Sequence, residues 1–368
     1  MKTKIAYSSN PDINNAVAEI KKELSGENAR FIIYFASSNY NHAELAGVMT
    51  SSFDNAQTMG CTTAGELVSG KMLKNSVVAM GFGSELIEDF EIVALRDLND
   101  SKNIQSSFAK VENKFNKKLS QLEYDKYFGI VLIDGLSGAE ENLMNILGDL
   151  TDIIFVGGSA GDDLKFKETF VFDGNEAFKN GAVIAIVKSK VKFGFIKTQS
   201  FKITGKTLLP TKVDEKTREV LEFNNKPAVE YYSVLLNVGK DEVEKHFMKH
   251  PVGLVINEEP YVRSPQRILG NSMKFYCSIK DGVQLNLLES TDIIKDTRDA
   301  IKKYEKENGA ISALVNFNCI LRTLELEDRG LCEQYGEIFK SIPTIGFSTY
   351  GEEYIGHVNQ TATMLALG

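Results

Sequence analysis

Three short stretches of this chain set a hydroxyl, a glycine and a carboxylate at one spacing: Gly60-Cys-Thr-Thr-Ala-Gly-Glu66, Val156-Gly-Gly-Ser-Ala-Gly-Asp162 and Gly346-Phe-Ser-Thr-Tyr-Gly-Glu352. Aligned without gaps, Thr63, Gly65 and Glu66 match Ser159, Gly161 and Asp162, and these match Thr349, Gly351 and Glu352. Glycine at such a point permits a positive φ and a close approach of backbone to a solute. The hydroxyl supplies a donor or acceptor, and the acid supplies charge. Three such turns on one rim would hold an ammonium group on the acids. A carboxylate on the same solute would reach Arg263 or Arg322, whose planar forks bind carboxylates bidentately. The chemistry this describes is the binding of an amino acid or a similar zwitterion. The same residues also suit ordinary turn chemistry, in which the acid closes on nearby N–H groups. Both readings stay open at the level of sequence.

Other reactive residues are sparse. His246 and His250 fall four apart on one face of a predicted helix end. They lack the third ligand that zinc requires and read as helix-end dipole partners. His42 opens a predicted helix on its solvent side, and His357 follows the third signature. Cys61, inside the first signature, reads equally as a redox-sensitive thiol or a small buried hydrophobe. Asp134-Gly-Leu-Ser-Gly138 is glycine-rich without the GxGxxG spacing and reads as a strand-to-helix turn. There is no nucleophile elbow, phosphate loop or HExxH, so no catalytic residue is assigned and the chain reads as a non-enzyme, with an uncharacterised hydrolase or transferase using the convergent acids as the lesser alternative.

The elements that must position these residues repeat with the signatures. An apolar strand (Phe31–Ala36, Phe128–Ile133, Ile311–Phe317) leads to a helix (His42–Phe53, Ala139–Leu150, Arg329–Lys340). A second strand then runs into the signature (Ala56–Met59, Ile153–Val156, Pro343–Gly346). An outgoing strand follows each: Val77–Met80, Ala182–Val187 and Thr361–Leu367. Strand–helix–strand order with short connections predicts right-handed βαβ crossovers, and open α/β sheets bind ligands at the C-terminal ends of their strands. The fold class is therefore α/β, with repeated strand–helix–strand units forming mixed sheets in two related halves. Gly65 and Gly161 are 96 residues apart and Gly161 and Gly351 are 190 apart, which suggests a degenerate fourth copy in the gap. Within that gap, 212–222, 227–236 and 241–249 read as helices. Asp281-Gly282 reads as a hairpin turn between 273–277 and 283–288.

A length of 368 residues predicts two domains, placed at 1–222 and 223–368. A net charge of −8 argues against nucleic acid as the partner, and the Lys-rich runs 114–118 and 188–192 read as solvated faces. Two lysines at the N-terminus precede no apolar segment, so no secretory leader is expected. No run is long enough for a membrane helix. The four cysteines form no CxxC, and reduced thiols in the cytoplasm are expected.

The motif Gly60–Glu66 resembles the G-C-S-T-x-G-E hallmark of the N-terminal half of the FIST family. The C-terminal half resembles that family through His250-Pro251, Tyr261-Val-Arg263, Asn318-Cys-Ile-Leu-Arg322, Gly346–Glu352 and Asn359-Gln-Thr361. The likeness covers nearly the whole chain in order; Asp162 departs from it, standing where the other copies carry Glu. The resemblance implies a free-standing sensory module that binds a small ligand, with an amino-acid-like ligand as one expectation. The alternative it implies is a haem-binding nitric oxide sensor acting with a histidine kinase, for which His250 or His357 would be the axial ligand.

Overall fold

The structure, a computed structural model, describes residues 3–26 and 29–368; Met1 and Lys2, part of the stretch read for a secretory leader, lie outside it. Packing divides the chain into two compact units. Unit 1 takes in the chain up to Thr198, Arg298–His357 and Ala362–Gly368, and unit 2 takes in Gln199–Thr297 and Val358–Thr361. Copy one of the repeat runs β1 (Ile5–Ser8), α1 (Ile13–Leu24), β2 (Ala29–Ser37), α2 (His42–Ser52), β3 (Gln57–Thr63), the hairpin β4 (Glu66–Val68) and β5 (Lys71–Leu73), then β6 (Val77–Gly83). Both helices start on side-chain caps, with Asp12 accepting from Asn15 N and Asn41 from Glu44 N. Copy two runs β7 (Ile87–Leu95), α3 (Ser101–Ser107), α4 (Ala109–Phe115), β8 (Tyr127–Ile133), α5 (Glu140–Leu150), β9 (Phe155–Ser159), the hairpin β10 (Val171–Asp173) and β11 (Glu176–Phe178), then β12 (Ala182–Ser189). Copy three opens with β13 (Phe193–Gln199) and is then interrupted.

The interruption is unit 2, and it corrects the expectation of a degenerate fourth copy. Its strands are β14 (Phe201–Leu208), β15 (Pro210–Asp214), β16 (Glu219–Phe223), β17 (Lys226–Pro227), β18 (Val252–Ile256), β19 (Glu259–Arg263), β20 (Pro265–Leu269), β21 (Ser272–Phe275) and β22 (Leu285–Ser290). The α-helix α6 (Ala228–Leu236) packs with them, while 240–246 is 3-10 helix rather than the expected α-helix. The strands form two antiparallel sheets, β14-β22-β18-β19 and β15-β16-β21-β20. Residues 212–222, expected as helix, are a hairpin in which Val213 faces Val220. Val220 is fully buried, and that tertiary burial overrides the helical propensity of a Lys/Glu-rich segment. Asp281-Gly282 is a turn, but the strands flanking it belong to different sheets and do not pair.

Beyond unit 2 the third copy resumes with α7 (Ile293–Asn308), β23 (Ala313–Cys319), α8 (Ile320–Asp328), α9 (Cys332–Glu337), β24 (Thr344–Thr349), β25 (Glu352–Tyr354), β26 (His357–Val358) and β27 (Thr361–Leu367). Gly330, at φ +64, parts α8 from α9 where one helix over 329–340 was expected.

Unit 1 holds three six-stranded mixed sheets: β1-β6-β2-β3-β10-β11, β7-β12-β8-β9-β25-β26 and β13-β27-β23-β24-β4-β5. In each the two central strands joined by a helical crossover are parallel (β2 with β3, β8 with β9, β23 with β24). The last two strands of every sheet come from another copy. Copy one gives β4–β5 to the sheet of copy three, copy three gives β25–β26 to that of copy two, and copy two gives β10–β11 to that of copy one. The exchange is cyclic.

The apolar runs explain how these sheets pack. In β2, Phe31, Ile33 and Phe35 point into a core shared by all three sheets, while Ile32, Tyr34 and Ala36 face α1 and α2. In β8, Phe128, Ile130 and Leu132 enter the shared core, and Val131 and Ile133 face the helices of copy two. A strand buried on both faces loses the polar alternation of a half-exposed one. Phe35 of copy one lies 4.6 Å from Phe347 of copy three, and Phe317 completes the aromatic cluster. Truncating one such ring to alanine typically costs about 3–5 kcal/mol.

Candidate functional site

All three signatures lie in unit 1 and touch one another. Thr63, Ser159 and Thr349 are each the last residue of a strand, so the chain turns out of the sheet immediately after the hydroxyl. The turns interlock through backbone. Ser348 N donates to Gly65 O at 2.8 Å and Ala64 N to Ser348 O at 3.2 Å. Gly161 N donates to Thr62 O at 3.0 Å, while Ser159 N donates to Gly351 O at 2.8 Å and Tyr350 N to Ser159 O at 3.0 Å. The glycines serve this packing in different ways. Gly65 alone takes a positive φ, at +126. At Gly161 a Cβ would fall 2.8 Å from Ala64 N, and at Gly351 one would fall 2.1 Å from His357 Cε1.

The equivalent acids meet different surroundings. Glu66 accepts the Thr63 hydroxyl on Oε1, and on Oε2 both Ser76 N (3.0 Å) and Ser76 Oγ (2.6 Å). Burial raises its pKa to about 7; the Ser76 and Thr63 bonds oppose the rise, and the charge of Asp163 adds to it. Asp162 accepts the N–H groups of Phe166 (2.9 Å), Lys167 (2.7 Å) and Glu168 (3.1 Å) and the Tyr350 hydroxyl. Burial works to raise its pKa, but the Tyr350 bond and the three backbone donors outweigh it and leave the carboxyl lowered. Glu352 accepts Thr349 Oγ1 at 2.6 Å. Ser159 reaches a different acid, Glu353 of copy three, at 3.3 Å.

Arg322 is buried at the start of α8. Its Nε donates to Asn318 Oδ1 at 3.0 Å, and its guanidinium lies 5.9 Å from the Tyr335 ring centroid. Asn318 also accepts the Tyr335 hydroxyl (2.9 Å) and donates to Thr323 Oγ1 (3.0 Å), which lies 2.7 Å from Ser348 Oγ in the third signature. Arg322 is thus tied to the interlocked turns through hydrogen bonds. Arg263 belongs to unit 2, on β19, where its Nη1 donates to Val262 O at 3.3 Å.

Sequence reasoning missed Glu353. It is buried on β25, with Oε1 3.0 Å from His357 Nδ1 and shared with Ser159, and with Oε2 meeting no hydrogen-bond partner. The signal was its spacing of four from His357. Burial lowers the His357 pKa, but the charge of Glu353 and its bond outweigh this, with further help from Glu140 and Glu141. The imidazolium is held to about 9. Asp134, at the strand-to-helix turn, accepts Leu136 N (3.0 Å), Asn180 N (2.6 Å) and the Thr169 hydroxyl, as a turn-forming acid does.

Of the two histidines considered for haem, His357 is buried in unit 1 beside Gly351, with its Nδ1 3.0 Å from Glu353 Oε1, the kind of carboxylate partner a metal-binding imidazole also has. His250, in unit 2, is half-buried with its ring 5.8 Å from that of His246. Burial lowers its pKa and favours the neutral imidazole that iron takes. Among the described residues, no group of three His, Cys, Asp or Glu gathers as a metal site, and no helix is long and apolar enough to cross a membrane.

A mixed α/β chain with a thrice-used signature and buried ionisable groups at its strand ends is the class of protein these observations define. The chain belongs to the FIST family: residues 30–226 match the FIST N domain and residues 228–354 match the FIST C domain. FIST domains are sensory and signalling domains. The chain is also similar to the uncharacterized protein MJ1623 of Methanocaldococcus jannaschii, at 27% identity over 225 residues. That match takes in 57% of this chain and 43% of the archaeal protein, so it spans under half of that relative's length.

Proposed function

We propose that this protein is a cytoplasmic sensor without catalytic activity of its own, binding a small zwitterion of the amino-acid kind. It would report occupancy to a signalling partner such as a histidine kinase. One observation carries the reading. Glu66, Asp162, Glu352, Glu353 and His357 are buried about the strand ends of unit 1, Arg322 is buried at the start of α8, and one carboxylate oxygen, Glu353 Oε2, is left bare. Buried charge is costly, and a bare buried acceptor costs about 1–3 kcal/mol. The fold gains nothing from that bare oxygen, whereas a ligand's ammonium group would complete it, with Arg322 as counterpart for the carboxylate. Interlocking of the turns gives the signature glycines a packing role.

Calorimetric titration of the common amino acids into the full chain tests this. At least one should bind, and Glu353→Gln should weaken it tenfold or more while the chain keeps one cooperative thermal transition. Absence of binding across the panel, or turnover of a bound compound, would refute the proposal. The haem reading rests on His250 or His357, and a Soret band lost in His250→Ala or His357→Ala would favour it instead.

A further inference from the structure

The bare oxygen of Glu353 sits in a segment with three further peculiarities. First, the other Glu353 oxygen lies 3.0 Å from buried His357; burial lowers the pKa of that imidazole, but the carboxylate raises it to about 9 and so favours a cation on the ring. Second, His357 ends the run that packs in unit 1, and Val358–Thr361 packs as part of unit 2. There Gln360 takes the Ser264 hydroxyl on Oε1 at 2.7 Å and gives its Nε2 to Met248 O at 3.0 Å. Third, residues on either side of His357 hold the left-handed region without being glycine: Ile355 at φ 59 and Gln360 at φ 50. A β-branched residue at positive φ is strained, and such strain persists only where the surroundings impose it. Ile355 is also largely exposed, so burial gives it no compensation there.

We propose that the Glu353–His357 pair is a latch, opened when a ligand's ammonium group takes the bare Glu353 oxygen, and that its opening loosens Val358–Thr361 from its bonds to Ser264 and Met248. This rests on the preceding reading for the nature of the ligand but not for the latch itself. Two cations on one buried carboxylate repel strongly at low dielectric, so an arriving ammonium displaces the imidazolium. Glu140 and Glu141, whose charges also bear on the ring, favour keeping it protonated once displaced. Relief of the Ile355 and Gln360 strain favours the open arrangement, and the Glu353 bond favours the closed one. Two arrangements close in free energy are what a ligand can rebalance.

Hydrogen–deuterium exchange on the full chain, free of ligand, tests the latch. Glu353→Gln and His357→Gln should each speed exchange of amides 352–361 at least tenfold, and also speed amides near Met248 and Ser264, with β2, β8 and β23 unchanged. Ile355→Asn, which accepts positive φ readily, should slow the same amides about fivefold. Acceleration confined to 352–357, or spread evenly through unit 1, overturns the latch. Methylammonium at millimolar concentration should then reproduce the opening in the native chain and not in Glu353→Gln. Opening by the variants without any response to methylammonium overturns the ammonium trigger. Variants that change nothing overturn the latch even where an amino acid binds.

Discussion

Two of the three acids at one repeat position carry opposite protonation tendencies, set by what each turn points at them. Glu66 receives hydroxyls and a single backbone N–H in a buried place and rises to about 7, while Asp162 receives three backbone N–H groups and a phenol and falls. Because the folded pKa of Glu66 lies above its unfolded value, the native state holds the extra proton. Its contribution is therefore present below about pH 4.5 and is lost as pH rises through 7. Comparing urea stability between pH 4.5 and 8 for the native chain and Glu66→Gln should show a fall of up to roughly 3 kcal/mol in the native chain that the variant lacks. Parallel curves would mean the carboxyl titrates normally. The hydroxyl–glycine–acid spacing was legible in the sequence, because it repeats. The division of labour was not. Whether an acid closes its own turn, as Glu352 does on Thr349, or is left half bare, as Glu353 is, depends on which strand lies beside it.

At the scale of elements, the repeated strand–helix–strand order could be read from β2, β8 and β23, whose apolar runs announce burial on both faces. Where each hairpin goes could not be read. Glu66–Leu73 carries the same local pattern whether it pairs at home or with β24, and only the three-sheet packing decides. The misread segments share this cause: Lys212–Glu222 and Asp281-Gly282 have local preferences that tertiary burial or sheet assignment overrules. Hairpin exchange itself is checkable. Val171 on β10 faces Cys61 on β3 across an antiparallel pair, a separation of about 4.5–5.5 Å between Cα atoms that falls within disulfide reach. Val171→Cys should therefore form a disulfide with Cys61 under mild oxidation, identified by non-reduced peptide mapping. A Val171→Cys chain that keeps both thiols free after denaturing oxidation controls would count against the exchange.

For the whole molecule, the interval of 190 residues between the second and third signatures is explained by insertion rather than by decay of a fourth copy. Unit 2 leaves and rejoins the chain at neighbouring points, since Thr291 N donates to Ser200 O at 2.8 Å and Phe201 faces Ser290. Neighbouring ends are where excision is tolerated. A chain with Ser200 joined to Thr291 by a short glycine linker should keep one cooperative thermal transition by circular dichroism, at a lower midpoint because Val358–Thr361 loses its packing. A gradual, non-cooperative melt would show that unit 1 depends on unit 2 to fold. Sequence matching and packing divide the chain differently. FIST N and FIST C part between 226 and 228, while β23, β24 and β25 of the second stretch pack in unit 1 with the first.

Cyclic exchange of hairpins also imposes an order in time. β4 and β5 emerge from the ribosome early, but β24, the strand whose edge they complete, is among the last to be made. At roughly 5–20 residues per second, the delay is on the order of tens of seconds. Throughout it the nascent chain carries an orphan hairpin, and once copy two is made its sheet has an open edge awaiting β25. Production of this protein should therefore be sensitive to anything that slows or stalls synthesis between copies two and three, even where the finished chain is stable.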